Sequence, residues 1–332
     1  MTAGSAARFV AAPMLALGLL LTGCASGQAR SVRPADDAVR RITAPQGRYF
    51  GVSTRQTPWS RAETAAVTRN AGHAPNMLEY FVKWTEDFRP AAVRESYAQG
   101  AVPLLTWEPW AGSGAGTRQP RYALTRIARG GFDAYVTRFA KAVRAQGRPV
   151  VIRFAHEMNG TWFPWSEQRN GNRRGDYVKA WRHVHDLFER AGADDVVWLW
   201  SPNVVRDAPT VPLRELYPGD AYVDLVGMTG YQDGESTAGA VFDATLARLR
   251  GLTGRPVLIA ETGARPGERK AAWIAAFFRW FAVHPEVIGF VWFERSRAEG
   301  GHQDWRFSQT PGTTRAFAGG LDTVRLARIS RS

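Results

Sequence analysis

Residues 150–165 read VVIRFAHEMNGTWFPW, and they decide how the rest of the chain is read. The run from Val150 to Ala155 is short, rich in β-branched residues and does not alternate with polar ones. That is the pattern of a parallel strand covered on both faces. It runs directly into the ionisable pair His156-Glu157 and the aromatics Trp162, Phe163 and Trp165. In a barrel of parallel strands, chemistry gathers just past the strand ends, so the abrupt change from apolar to polar raises the question of whether other strands end in the same way.

Seven further apolar runs occur: Tyr49–Ser53, Met77–Val82, Val102–Trp107, Val196–Trp200, Val223–Met228, Val257–Ala260 and Val287–Phe293. Amphipathic stretches separate them, clearest at Phe132–Gln146, Tyr177–Arg190, Phe242–Arg250 and Arg269–Val283. Gly-Arg-Pro turns at 147–149 and 254–256 sit just before two of the runs. Strand and helix alternating eight times is the rhythm of a (β/α)8 TIM barrel, an α/β fold. A doubly wound open sheet is the alternative. There is no short repeat and no sign of a second domain.

Most of the runs end in polar or aromatic residues. Trp107-Glu108 closes the third, Trp200 with Asn203 the fifth, Tyr231 follows the sixth, Glu261 the seventh, and Trp292 with Glu294 ends the eighth. Eight of the 13 tryptophans (84, 107, 110, 162, 165, 200, 292 and 305) fall at or after strand ends, which predicts a mouth lined with indole faces. Glu157 and Glu261 end strands four and seven of the predicted barrel and so share that mouth. Two facing carboxyl groups are the equipment of glycoside hydrolysis, and aromatic faces suit sugar rings. Glu108 and Glu294 are strand-end carboxylates too, so the pairing is not automatic.

Other chemistries fit less well. The residue four after His156 is Gly160, which removes the zinc reading of His-Glu, and the remaining histidines show no ligand spacing. The GSGAG stretch at 112–116 matches neither a nucleophile elbow nor a dinucleotide loop. Neither metal nor cofactor is implied. The formal charge is +13, but the 43 basic residues are spread along the chain with no long run, which argues against nucleic acid as a partner. Attraction to anionic lipid or to an acidic wall polymer fits such a surface.

The single cysteine, Cys24, follows Leu21-Thr22-Gly23 after an apolar run from Phe9 to Leu21 headed by Arg8. This resembles the lipobox of bacterial lipoproteins. It implies a signal peptide over 1–23, lipidation of Cys24, and an extracytoplasmic protein anchored to the cell membrane. Residues 24–47, rich in Ala, Ser, Arg, Pro and Gly, read as a tether, and 48–328 as one catalytic domain acting as a monomer.

The stretch Arg153 to Trp165 resembles the signature of glycoside hydrolase family 26. Four further stretches agree in order: Trp200-Ser-Pro-Asn203; Tyr217–Asp224 through Gly230-Tyr231; Ile259-Ala-Glu261-Thr-Gly263; and Trp292-Phe with Asp304-Trp305. The resemblance covers about residues 48–325. It implies a retaining endo-acting hydrolase with Glu157 as acid/base and Glu261 as nucleophile. It further implies substrate contact or support of Glu157 by His156, and a hydrogen bond from Tyr231 to Glu261. Trp162 and Trp292 would be platforms beside the cleaved bond, with Trp107 and Trp165 among the other aromatic contacts. Arg153 would keep Glu261 ionised, and Asn203 would support the site. The commonest activity of the family is endo-β-1,4-mannanase; relatives cut mixed-linkage β-1,3-1,4-glucan or β-1,3-xylan. Pro164, and Phe154-Ala155 before His-Glu, depart from the mannanase pattern and leave the sugar open. A glycan-binding surface lipoprotein without turnover is the alternative of another class.

Overall fold

The computed structural model describes residues 34–208 and 211–330, together with 1, 2 and 4. Cys24 and the lipobox lie outside the described residues. Eight parallel strands close into a barrel in chain order: β1 (Tyr49–Ser53), β2 (Met77–Lys83), β3 (Val102–Glu108), β4 (Val150–Phe154), β5 (Val196–Trp200), β6 (Leu225–Gln232), β7 (Val257–Ala264) and β8 (Val287–Phe293). The ring is shut by β1 pairing with β8, Tyr49 opposite Gly289. A Cβ at residue 289 would run into Tyr49, so glycine is what lets these two strands approach. The open-sheet alternative is thereby excluded.

Apolar runs and strands coincide for β1, β5 and β8, but two strands differ instructively. β6 starts at Leu225 rather than Val223, because Asp224 turns back on β5 and its carboxylate accepts from the Trp198 amide at 2.8 Å. β7 continues four residues past the end of its apolar run, so Glu261 lies inside the strand, paired with Thr229 of β6. Tyr231 is likewise within β6. The apolar run stops where inward side chains turn polar, whereas the backbone ladder does not stop there.

The core has two layers. Tyr49, Met77, Leu104, Val151, Leu199, Leu225, Leu258 and Val291 point inward and fill the lower barrel. The opposite parity packs outward against the helices, including Asp133–Gln146, Asp176–Ala191, Ala238–Arg250 and Lys270–Ala282, which overlap the four predicted amphipathic stretches. The tether reading fails from Pro34 onward. Pro34–Thr43 is a helix whose Ile42 is buried in the inner layer, with its carbonyl accepting from the Tyr49 hydroxyl at 3.0 Å. Val39 and Ile42 share one face while Arg40 and Arg41 flank it, an amphipathic pattern hidden inside a polar composition.

Candidate active site

The end of β4 is built by folding the chain sharply. Ala155 (φ +44°) and Glu157 (φ +52°) both occupy the left-handed region that non-glycine residues disfavour. Hydrogen bonds hold them there. The Ala155 amide donates to the Trp107 carbonyl (3.0 Å), the Glu157 amide to the Ser201 carbonyl (2.8 Å), and the Trp165 indole to the His156 carbonyl (2.6 Å). The Glu157 carboxyl accepts from the Trp162 indole at 2.5 Å and from the Asn203 amide at 3.1 Å. Asn203 is itself clamped, donating its backbone N–H to Asn159 Oδ1 (2.8 Å) and accepting from Asn159 Nδ2 (2.9 Å). Gly160 leaves room for the Trp162 ring, which a Cβ would strike. Burial, and then the charge of Glu261, push the Glu157 carboxyl up from its ordinary pKa; Arg153 and the two donors oppose this only in part. His156 packs on Phe163 and Trp165, and burial beside Arg153 pushes its pKa well down, so the ring is neutral at pH 7.

The β7 side is built from charge. Glu261 Oε2 accepts from Arg153 Nη1 at 2.9 Å, and Oε1 accepts a short hydrogen bond from the Tyr231 hydroxyl. Arg153 is fully buried and reaches three strands besides its own, pairing with Glu79 of β2 (3.1 Å) and donating to Thr229 of β6 as well as to Glu261 of β7. Glu79 Oε1 also accepts from Thr106 at 2.6 Å. Burial raises the Glu79 pKa, with Arg153 opposing and Glu261 reinforcing the rise. Glu79 was not among the expected site residues. Its one signal is a lone carboxylate inside the run MLEYFV, at the inward parity it shares with Phe81.

Glu157 and Glu261 open into one cavity of about 500 Å³ together with Glu108, His156, Trp162, Asn203 and Tyr231. Larger hollows exist, about 550 Å³ beside Arg118 and Arg169 and about 670 Å³ around Arg41, Tyr97 and Arg328, but neither contains two glutamates. Glu294 is removed from contention. Its carboxyl is engaged by the amides of Phe307 (2.7 Å) and Ser308 (3.2 Å) and by the Ser308 hydroxyl (2.5 Å), where it caps a turn. Glu108 stays in the cavity, and burial pushes its pKa up to about 7. Among the described residues no cluster of His, Cys, Asp or Glu is arranged to hold a metal ion.

The expectation of an indole-lined mouth needs correction. Trp107, Trp165 and Trp292 are fully buried and do not face the cavity. Trp107 stacks on Phe139 of the helix Asp133–Gln146 at 4.4 Å between ring centres. Trp165 stacks beneath Phe163 at 4.3 Å, and Trp292 packs on Phe317 and donates to the Trp305 carbonyl at 3.0 Å. Strand parity is the cause in two cases, because Thr106 and Phe293 hold the inward places next to Trp107 and Trp292. Of the eight strand-end tryptophans only Trp162, 37% exposed, and Trp305 line the cavity. Phe81, Phe163 and Phe293 supply the remaining aromatic wall.

Residues 128–270 match the model of glycosyl hydrolase family 26. The chain is 30% identical over 261 residues to endoglucanase H of Acetivibrio thermocellus, covering 74% of this chain and 27% of that protein. It is 38% identical over 100 residues to a mannan endo-1,4-beta-mannosidase of Bacillus subtilis, covering 28% and 26%. The matched region therefore spans about a quarter of the length of each of these two curated relatives. The fold is that of the Bacillus subtilis mannanase man26 structure, with a TM-score of 0.64 at 19% identity over 89% of this chain and 92% of that one. Motif order, family match and closed barrel agree: the chain belongs to glycosyl hydrolase family 26.

Proposed function

We propose that the protein is a retaining, endo-acting glycoside hydrolase that cleaves a β-linked polysaccharide, with β-1,4-mannan as the first candidate. The observation that carries this reading is the opposite surroundings of two glutamates in one cavity. Glu157 is buried among aromatic rings beside the charge of Glu261, which favours its protonated form against the pull of Arg153 and of its donors Trp162 and Asn203. Glu261 is paired with the buried guanidinium of Arg153 and accepts from the Tyr231 hydroxyl, which fixes its oxygens toward the cavity as an attacking group.

In the first step Glu261 attacks the anomeric carbon while the glycosidic C–O bond breaks and Glu157 gives its proton to the leaving oxygen. In the second, Glu157, now a carboxylate, takes a proton from water. That water attacks the anomeric carbon, and the bond to Glu261 breaks. Trp162 and Trp305 offer indole faces to the sugar, and Tyr231 steadies Glu261.

A second sugar has a specific observation in its favour. The match to endoglucanase H runs over 74% of this chain, whereas the match to the mannosidase covers 28%. A glucan is therefore the alternative substrate, with β-1,3-1,4-glucan the one that the sequence resemblance names. Reducing-sugar release by the full chain from β-mannan, glucomannan, barley β-glucan, laminarin and β-1,3-xylan, beside a Glu157→Ala control, separates these readings. Release from mannan that the control lacks supports the first, release from barley glucan alone supports the second, and binding without release from any polymer would favour a glycan-binding lipoprotein.

We also propose that Cys24 carries a lipid that holds the enzyme at the outer face of the cell membrane, on the strength of Leu21-Thr-Gly-Cys24. Cys24→Ser should move the protein from the detergent phase to the aqueous phase; partition unchanged by the substitution would remove the anchor.

A further inference from the structure

The charged side chains that surround the cavity pair off unevenly. Glu261 is matched by Arg153. Asp207 is held by Arg206 through two contacts, at 2.7 and 3.1 Å, and Asp233 by Arg265 at 2.6 Å. Burial pushes Glu157 and Glu108 toward their neutral forms. Arg153 is shared with buried Glu79, whose charge Arg295 also feels. Arg295, just beyond β8, lines the cavity with no carboxylate in ion-pair contact among the described residues. Its guanidinium is also unusually well fixed. It lies over Phe293 (4.8 Å) and Phe81 (5.2 Å), and Nη2 donates to the Ser53 hydroxyl at 2.9 Å. Its Nε is buried and finds no acceptor among the described residues.

A half-buried guanidinium that lines a cavity without a carboxylate in ion-pair contact is a partly desolvated charge, which an anionic group entering the cavity would relieve. Stacked on two rings, it has already lost the side-chain freedom that binding would otherwise remove, and its planar fork matches a carboxylate. The net charge of +13 would add a long-range pull on an anionic polymer. We propose that Arg295 is a specificity-determining residue that reads a carboxylate on the substrate, of the kind a uronic acid unit carries, so that the preferred glycan is acidic near the cleaved bond. This deepens the hydrolase reading and rests on it for the position of the sugar in the cavity.

The test compares binding of a neutral β-1,4-linked mannotetraose with that of its C6-carboxylated form. Titration calorimetry is run on the full chain carrying Glu157→Gln, so that turnover does not interfere. The carboxylated sugar should bind about tenfold more tightly, the size of one charge-assisted hydrogen bond. Adding Arg295→Gln should abolish that difference, and Arg295→Lys should keep part of it; if the glutamine variant does not fold, the lysine variant decides by a reduced ratio. Equal binding of the two sugars would overturn the proposal. So would a preference that survives Arg295→Gln, or an equal loss for both sugars in that variant, which would make Arg295 a donor to neutral hydroxyls. The same pair of sugars is given to the protein with Glu157 intact. A carboxylate preference in binding with no cleavage there would break the hydrolase reading and leave the Arg295 site standing.

Discussion

The ends of β4 and β7 carry the same residue type and treat it in opposite ways. Glu157 stands on a strained turn, wrapped by aromatic rings and held by the neutral donors Trp162 and Asn203. Glu261 stands inside a regular ladder, held by a cation and a tyrosine. The β4 end is assembled largely from neighbours in the chain, since Trp162 is five residues from Glu157 and Trp165 is nine from the carbonyl it anchors. The β7 side depends on Arg153, 108 residues away, which in turn leans on Glu79. One type of side chain is thus set among rings and neutral donors at one strand end and against a buried cation at the other, by a change of surroundings alone.

The two strand ends should differ most in turnover. Glu261→Ala should lose at least about 10⁴-fold in kcat on any substrate, because no other carboxylate replaces the attacking group. Glu157→Ala should lose about 10²–10⁴-fold on polysaccharide, where the leaving oxygen needs a proton. On an aryl glycoside whose phenolate leaves unaided, the Glu157 variant should still show a rapid burst of phenol and the Glu261 variant none. Equal losses on that substrate would mean that the two glutamates do not divide the work.

The next effect is on stability. Arg153→Met removes the only cation in ion-pair contact with Glu79 and Glu261 among the described residues, and should cost about 3–5 kcal/mol in urea unfolding. Adding Glu79→Gln should restore part of that loss, since one stranded carboxyl disappears. A second substitution that only adds to the first would show that Glu79 and Arg153 are not coupled. No comparable stability loss is expected from Trp162→Ala at the β4 end, where the indole is 37% exposed.

A weaker effect is expected on the pH dependence. Asn203 donates to the Glu157 carboxylate and so favours its charged form. Its replacement by alanine should raise the Glu157 pKa further. Because the protonated form is the one that acts, the alkaline limb of kcat/KM should move to higher pH, by less than about one unit. An unmoved or lowered limb would point to a different acid, with Glu108 the next in the cavity.

Much of this architecture can be read along the chain, because a strand covered on both faces must be apolar and a surface helix must be amphipathic. Those patterns place all eight strands and the four main helices, and Glu157 and Glu261 stand out as carboxyls at the limits of apolar runs. The patterns mislead where composition and packing disagree. The helix Pro34–Thr43 is polar overall yet buries Ile42 under the barrel, and the β7 run ends on paper at Ala260 although the ladder continues through Glu261.

The family and the strand-end carboxyls Glu157 and Glu261 are legible in the chain alone, since each is written in short stretches whose meaning does not depend on distant residues; the barrel and an open sheet share the same strand and helix rhythm until β1 pairs with β8. Which aromatic rings face the cavity follows from packing, because neighbouring residues of a strand point to opposite sides and a shift of one position buries Trp107 and Trp292 while exposing other groups. Packing also sets the charges, because an ion pair forms between residues that the closed barrel brings together. Arg153 with Glu79 and Glu261, and Arg295 with no carboxylate beside it among the described residues, are separated in the chain by distances that no local pattern spans.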